Sequence, residues 1–215
     1  SEKAAQEVNR VLDEILEQES EQRTQINVLK ERFRSIKKMF AENRSAYHQS
    51  DEYIEKRMDA IEKKFSLFEE WMFASEFDKA HEQQEEIARD VRELGDQLHA
   101  LPNLYEQARG VLPKAIDEIG LRYAQTRNKG VYLDHLEVQK NLDIISDQLK
   151  ECIAKLRTGI VTDVKENLNA MGERLLNLQD LITREDEAYS EMQDGMEKTV
   201  QRVRQVNEEF ETIEQ

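Results

Sequence analysis

Apolar residues recur along this chain at a spacing of seven. One position reads Leu12, Glu19, Ile26, Phe33, Phe40, Tyr47, Ile54, Ile61 and Phe68, and only Glu19 breaks the series. A second stripe runs Val8, Ile15, Leu29 and Ile36, then returns one step shifted as Met58, Phe65 and Met72. Asn43 and Ser50 fall between the two phases, so the seam turns polar around 43–51. Heptad spacing of this kind means helix packed on helix with coiled-coil geometry. The shift predicts a local change of winding or of partner near Tyr47, within one long first helix that ends near Phe73.

Ser75 followed by Asp78 has the form of an acidic capping box, which starts a second helix there. Its stripe is Phe77, Ala80, Ile87, Val91, Leu94, Leu98 and Leu101. Pro102 and Pro113 then interrupt it, because each removes a backbone donor and crowds the preceding turn. They stand close to three full turns apart, so both bend the helix in nearly the same direction. The expectation is a curved or broken rod.

The stretch RNKGVYLDHLEVQ, residues 127–139, packs stop and start signals together. Gly130 supplies the left-handed conformation that ends a helix, and Arg127 and Lys129 suit the negative end of its dipole. Asp134 and Glu137 have capping-box spacing for the next helix, with Leu133 and Val138 as its hydrophobic staple. The third helix carries Leu136, Leu142, Ile145, Leu149, Ile153 and Leu156. RTGIVTDVKE, 157–166, repeats the device with Gly159 as terminator and Asp163 with Glu166 as capping box. The last helix shows Leu168, Leu175, Ile182, Tyr189, Met196, Val203 and Phe210 without a break; from 164 to 215 it would be about 78 Å long. Helices of such unequal length cannot all be buried in a simple four-helix bundle. A short bundle around 103–188, packed on part of the first helix, leaves long arms that pair as two-stranded coils.

Composition supports this picture. Of 215 residues 36% are charged and 38% hydrophobic, with seven glycines and two prolines, fewer apolar and turn residues than a globular domain carries. The strict periodicity argues against disorder. A net charge of −15 disfavours nucleic acid and anionic lipid as partners. The single cysteine, Cys152, excludes an internal disulfide framework and fits a reducing compartment. No run approaches a membrane span, and no signal peptide opens the chain. The apolar phase is already running at Val8 and still running at Ile213, which suggests a slice of a longer helical protein.

Candidate chemistry is sparse. A di-iron bundle needs a Glu-x-x-His motif on each of two helices. This chain offers Asp78 with His81 and Asp96 with His99, both on one helix and roughly 27 Å apart, too far to share a metal. Cys152 lies near an apolar stripe and reads as a buried, inert thiol. No nucleophile motif or phosphate-binding glycine loop is present, so the reading is non-enzymatic, without cofactor or metal. The one basic patch, KERFRSIKKMF at 30–40, holds Lys30, Arg34, Lys37 and Lys38. Such charges can dock an acidic tail or a lipid surface, but in coiled coils they more often flank the seam and pair with glutamates. Trp71 near the first turn is a second candidate contact, against the commoner reading of a core aromatic.

The run from Phe73 to Leu149 resembles the septation ring formation regulator EzrA family of Gram-positive bacteria. The resemblance rests on Ala80, Leu-Pro at 101–102 and again at 112–113, Tyr123, the turn GVYLDHLEVQ and Gln-Leu at 148–149. It continues through RTGIVTDVKENLNAMGERLLNLQDLI. Where the family has Gly directly before Tyr, Val131 is inserted here. The resemblance implies an all-α, elongated antiparallel helical bundle or coiled coil of spectrin-like repeats sharing long helices. On that frame residues 1–100 form a coiled-coil hairpin arm with its turn near 73–76. Residues 101–190 form a spectrin-like bundle with turns near 128–134 and 158–163, and 191–215 continue a shared helix. The resemblance further implies a parent protein held by an N-terminal membrane helix, absent here, on the cytoplasmic face of the membrane at mid-cell. Its implied partners are the tubulin-like protein FtsZ, whose ring assembly it restrains, and cell-wall synthesis proteins. A seam of this kind also admits a homo-oligomer. The rival reading is a coiled-coil spacer of a larger cytoskeletal or chromosome-organising protein.

Overall fold

The computed structural model of the chain describes residues 1–214, and among them it is helical throughout, without a strand. Its α-helices are α1 (Glu2–Glu42), α2 (Asp51–Phe73), α3 (Phe77–Glu106), α4 (Leu112–Asn128), α5 (Val138–Arg157) and α6 (Thr162–Glu214). Short 3-10 turns occupy Arg44–Ser50 and Asp134–Leu136, and Gln107–Val111 is π-helical. The chain forms two compact units. The first comprises Ser1–Glu106 with Ile153–Lys165, and the second Gln107–Cys152 with the chain from Glu166 onward.

In the first unit the expected long first helix is broken. α1 ends at Glu42, and the 3-10 turn sends α2 back along it. Arg23 of α1 reaches Glu69 of α2 at 2.6 Å, Lys37 reaches Glu62 at 2.5 Å, and Arg44 reaches Glu55, the order of an antiparallel pair. Lys64 of α2 meets Glu86 of α3 at 2.7 Å, and Tyr53 meets Gln97, so α3 reverses again. The arm is therefore a three-helix bundle in place of a two-helix hairpin. The reversal lets both stripes face a common seam: Ile26, Leu29, Phe33, Ile36 and Phe40 of α1 are buried, as are Ile54, Met58, Ile61, Phe65, Phe68 and Met72 of α2. Each fully buried side chain of this size contributes about 1.5–3 kcal/mol, which outweighs the cost of one turn. Burial on α1 begins at Gln22, whose side-chain amide donates to the carbonyl of Phe77 at 3.0 Å. Val8, Leu12 and Ile15 lie beyond that level and are exposed.

In the second unit α4, α5 and α6 pack as a further three-helix arrangement. Leu142 of α5 lies 3.8 Å from where a side chain on Gly120 of α4 would begin, and Gln148 accepts from Arg174 of α6. Leu142, Ile145, Leu149 and Cys152 are buried with Leu168, Met171, Leu175, Leu178 and Ile182. Burial on α6 stops after Ile182, and Met192, Met196, Val203 and Phe210 are exposed.

The prolines act differently from the expectation of two interruptions. α3 continues through Pro102 to Glu106. Pro113 stands in the first turn of α4, directly after the π-helical segment. Its ring would collide with the carbonyl four residues back, that of Arg109, and the wider π turn relieves that contact.

Candidate functional site

Most of the residues singled out in the sequence lie at the reversals between helices. After α2 the amide of Ser75 donates to the Met72 carbonyl and that of Glu76 to the Trp71 carbonyl. Ser75 itself is left-handed, with φ 55. These are the bonds of a Schellman motif, in which Ser75 closes α2. The expected capping box of Ser75 with Asp78 is corrected: an N-cap needs an extended backbone, and Asp78 lies in the first turn of α3. After α5 the same motif appears around Gly159, φ 77. Gly159 donates to the Leu156 carbonyl and Ile160 to that of Lys155.

Asp134 and Glu137 also fail as a capping box. Asp134 opens a 3-10 turn, and Glu137 is left-handed with φ 48, just before α5. The side-chain amide of Asn141 donates to the Leu136 and Glu137 carbonyls instead. Leu133 and Val138 of the expected staple are both buried. Asp163 lies within the first turn of α6, two residues past Val161, the position a capping side chain would occupy; its pairing with Glu166 is corrected likewise. The carboxylate there faces the positive end of the helix dipole.

Gly130 follows α4 with φ 101. Tyr189 of α6 donates its hydroxyl to the adjacent Lys129 carbonyl at 2.9 Å, and Lys129 pairs with Asp186 at 2.8 Å. His135 meets Glu185 at 3.1 Å and stacks on Tyr132. α6 thus clasps this turn through three side chains.

Two polar nodes inside the first unit were not singled out from sequence. Gln97, buried, donates to the Tyr53 hydroxyl at 2.9 Å and to the Gly159 carbonyl at 3.0 Å. Ser50, fully buried, lies 2.7 Å from the Tyr105 hydroxyl and donates to the Leu156 carbonyl at 2.6 Å. Both nodes fasten the α5–α6 turn to α2 and α3. The signal for Ser50 was its place in a heptad seam, where a polar residue must find partners when buried. An open cleft beside Gln97, lined by Arg89, Arg92, Glu93 and Asp96, mixes both charges and converges on no reacting group.

The basic patch is engaged. Lys30 pairs with Glu69 at 3.2 Å, Lys37 with Glu62, Arg34 with Glu31 at 2.6 Å, and Lys38 with Glu42 at 3.9 Å. Trp71 is half-buried with the Lys79 ammonium 4.7 Å above its ring, while the neighbouring Phe73 is 95% exposed. Burial alone would raise the Glu69 carboxyl, but hydrogen bonds and charge from Arg23 and Lys30 outweigh it and hold the group below its ordinary range. A depressed carboxyl adds stability above the unfolded-state value and loses it as pH falls through the folded one. Glu69→Gln therefore lowers the Tm at pH 7, by an amount that shrinks as pH falls and the wild-type carboxylate is protonated. The pair is well exposed, so the difference stays within about 1 kcal/mol; paired thermal melts measure it.

No group of three or more His, Cys, Asp or Glu among the described residues could hold a metal ion. Among the same residues no helix is long and apolar enough to cross a membrane. A family model described as septation ring formation regulator, EzrA, matches residues 1–215. The chain belongs to the EzrA family. Curated relatives of that name include one from Geobacillus sp. (strain WCH70), 22% identical over 96% of this chain and 37% of its own length. Another, from Bacillus subtilis (strain 168), is 24% identical over 71% of this chain and 29% of its own. A third, from Staphylococcus epidermidis (strain ATCC 12228 / FDA PCI 1200), is 21% identical over 85% and 32%. No solved structure matches the chain significantly. The chain spans about a third of the length of the curated EzrA relatives it matches. The EzrA family is named for regulation, not for a reaction, and the non-enzymatic reading agrees with that name.

Proposed function

We propose that this chain is a structural segment of a cell-division regulator that limits assembly of the FtsZ ring. The observation that supports it is the family match along the whole chain. In this reading the parent protein is tethered by an apolar helix outside this chain and works at the septum, on the inner face of the membrane. It holds an acidic helical surface beside the ring, and cell-wall synthesis proteins are further partners.

Mechanistically, the segment contributes stiffness and faces. Each unit is a bundle whose reversals are fastened by side-chain hydrogen bonds, so it transmits position without chemistry. The α2–α3 turn is the contact to test first, because Phe73 stands nearly bare beside Trp71. Rings that anchor interfaces are typically aromatic, and truncating such an anchor costs about 2 kcal/mol or more. FtsZ polymers sedimented with an excess of the whole non-membrane portion of the parent protein should pellet less than FtsZ alone. Phe73→Ala with Trp71→Ala should restore much of the pellet. Unchanged FtsZ assembly at that excess overturns the reading.

One observation favours a second reading, a passive spacer. Lys30, Arg34, Lys37 and Lys38 are already paired with carboxylates of the same chain. A spacer predicts that the chain can be exchanged for another helical bundle of equal length without loss of division control.

A further inference from the structure

The reversal between α1 and α2 is written in a sequence that also suits a continuous helix. Asn43–Ser50 contains neither glycine nor proline. The turn instead places His48 at φ 46, ψ −117, a conformation normally left to glycine. Meanwhile Phe40, Tyr47 and Ile54 keep their seven-residue spacing straight across the turn, and the one-step shift of the second stripe there is an offset that a continuous helix absorbs by a local change of winding. Two helices joined by a loop have no need to share a heptad phase, whereas one helix does.

We propose that this chain exchanges α1 with a second copy of itself, the 3-10 turn opening so that residues 2–73 form one helix. The ion pairs show why the exchange is feasible. Arg23 with Glu69, Lys37 with Glu62 and Arg44 with Glu55 straddle a centre that falls within or beside the turn. Two straightened copies, antiparallel about a two-fold axis at that centre, remake each pair between chains. The buried stripe of α1 meets α2 and α3 of the partner as it met its own. At the crossing Asn43 of one copy faces Ser50 of the other across the polar stretch of the seam.

Opening stops at Ser50, because its bonds to Tyr105 and the Leu156 carbonyl hold the start of α2 in place. What is given up is the contact of the His48 ring with Tyr105, at 4.9 Å, and two contacts across the turn within one chain, Phe40 with Tyr47 at 5.5 Å and Arg44 with Asp51 at 3.8 Å. What is gained is helical bonding through the turn and release of one strained residue per copy. The contacts of α1 with α2 and α3 away from the turn are remade, so concentration, turn strain and the few contacts of the turn itself set the balance between the forms. Swapping of this kind goes beyond the proposed role in division and does not depend on it.

The test uses the full chain with Lys37→Cys and Glu62→Cys, joined by a short bismaleimide after equilibration over a range of concentrations. The closed monomer links within one chain. The exchanged dimer links between chains and runs at twice the monomer mass on a denaturing, non-reducing gel. His48→Ile, β-branched and unsuited to positive φ, should lower the dimer dissociation constant by about tenfold or more. His48→Gly, which fits the turn and weakens the helix, should raise it by about as much and leave a cooperatively folded monomer. The proposal is overturned by any one of three results. The first is links that remain within chains at high concentration in the His48→Ile protein, and the second is dimers that form without interchain links. The third is a dimer fraction indifferent to both His48 substitutions.

Discussion

Gly159→Ala is expected to destabilise the first unit by about 3–5 kcal/mol, read as a lowered urea midpoint. Two independent penalties add. The backbone at φ 77 suits glycine, and any other residue there costs about 1–2 kcal/mol. The larger penalty is steric. A Cβ at Gly159 would lie 2.2 Å from Cε1 and 2.5 Å from Cζ of Tyr53. The ring cannot simply swing away, because its hydroxyl is held by Gln97, which is buried and also donates to the Gly159 carbonyl. Displacing it breaks the bonds that seat the α5–α6 turn against α2 and α3. A double-mutant cycle separates the two penalties: in a Tyr53→Ala background, Gly159→Ala should cost only the backbone share, about 1–2 kcal/mol. Gly130 provides the contrast. Its φ is also positive, but a Cβ there meets only the Tyr189 hydroxyl at 3.3 Å, the far end of a half-buried side chain that can yield.

These two glycines were the most legible features of the sequence, because a left-handed terminus after an amphipathic stripe leaves few alternatives. The all-α class and the apolar stripes were legible for the same reason: periodicity reports directly on which face is buried. The α1–α2 reversal was not. Sequence marks a turn by residues that favour it, and Asn43–Ser50 has none strong enough; the conformation at His48 is imposed by packing of the helices on either side. Ser75 was misread for a related reason. Serine is commoner as an N-cap than as a left-handed terminator, and only the bonds of Ser75 and Glu76 back to α2 distinguish the two. Asp134 with Glu137, and Asp163 with Glu166, had the right spacing, but Asp134 stands three residues before the capping position of α5 and Asp163 two residues after that of α6. The nodes of Ser50 and Gln97 join segments more than 60 residues apart in the case of Gln97 with Gly159, a separation no local pattern encodes.

Phe68→Ala is expected to cost about 3–5 kcal/mol, while Leu12→Ala, on the same heptad position, costs less than about 0.5 kcal/mol. Sequence treats the two residues alike. Phe68 is fully buried, however, whereas Leu12 is 51% exposed on the part of α1 that lies beyond the α2–α3 turn. In a three-helix seam each level holds only a few side chains, so neighbours have little with which to fill the space a removed ring leaves. The measured loss thus combines lost transfer energy with a residual cavity. Hydrogen exchange localises it: protection should fall in α1, α2 and α3 for Phe68→Ala and stay at the wild-type level for Leu12→Ala. Equal effects from the two substitutions would mean that Leu12 is covered in solution. That outcome would count against the exposed amino-terminal stretch of α1, since heptad position alone cannot supply stability without a partner surface.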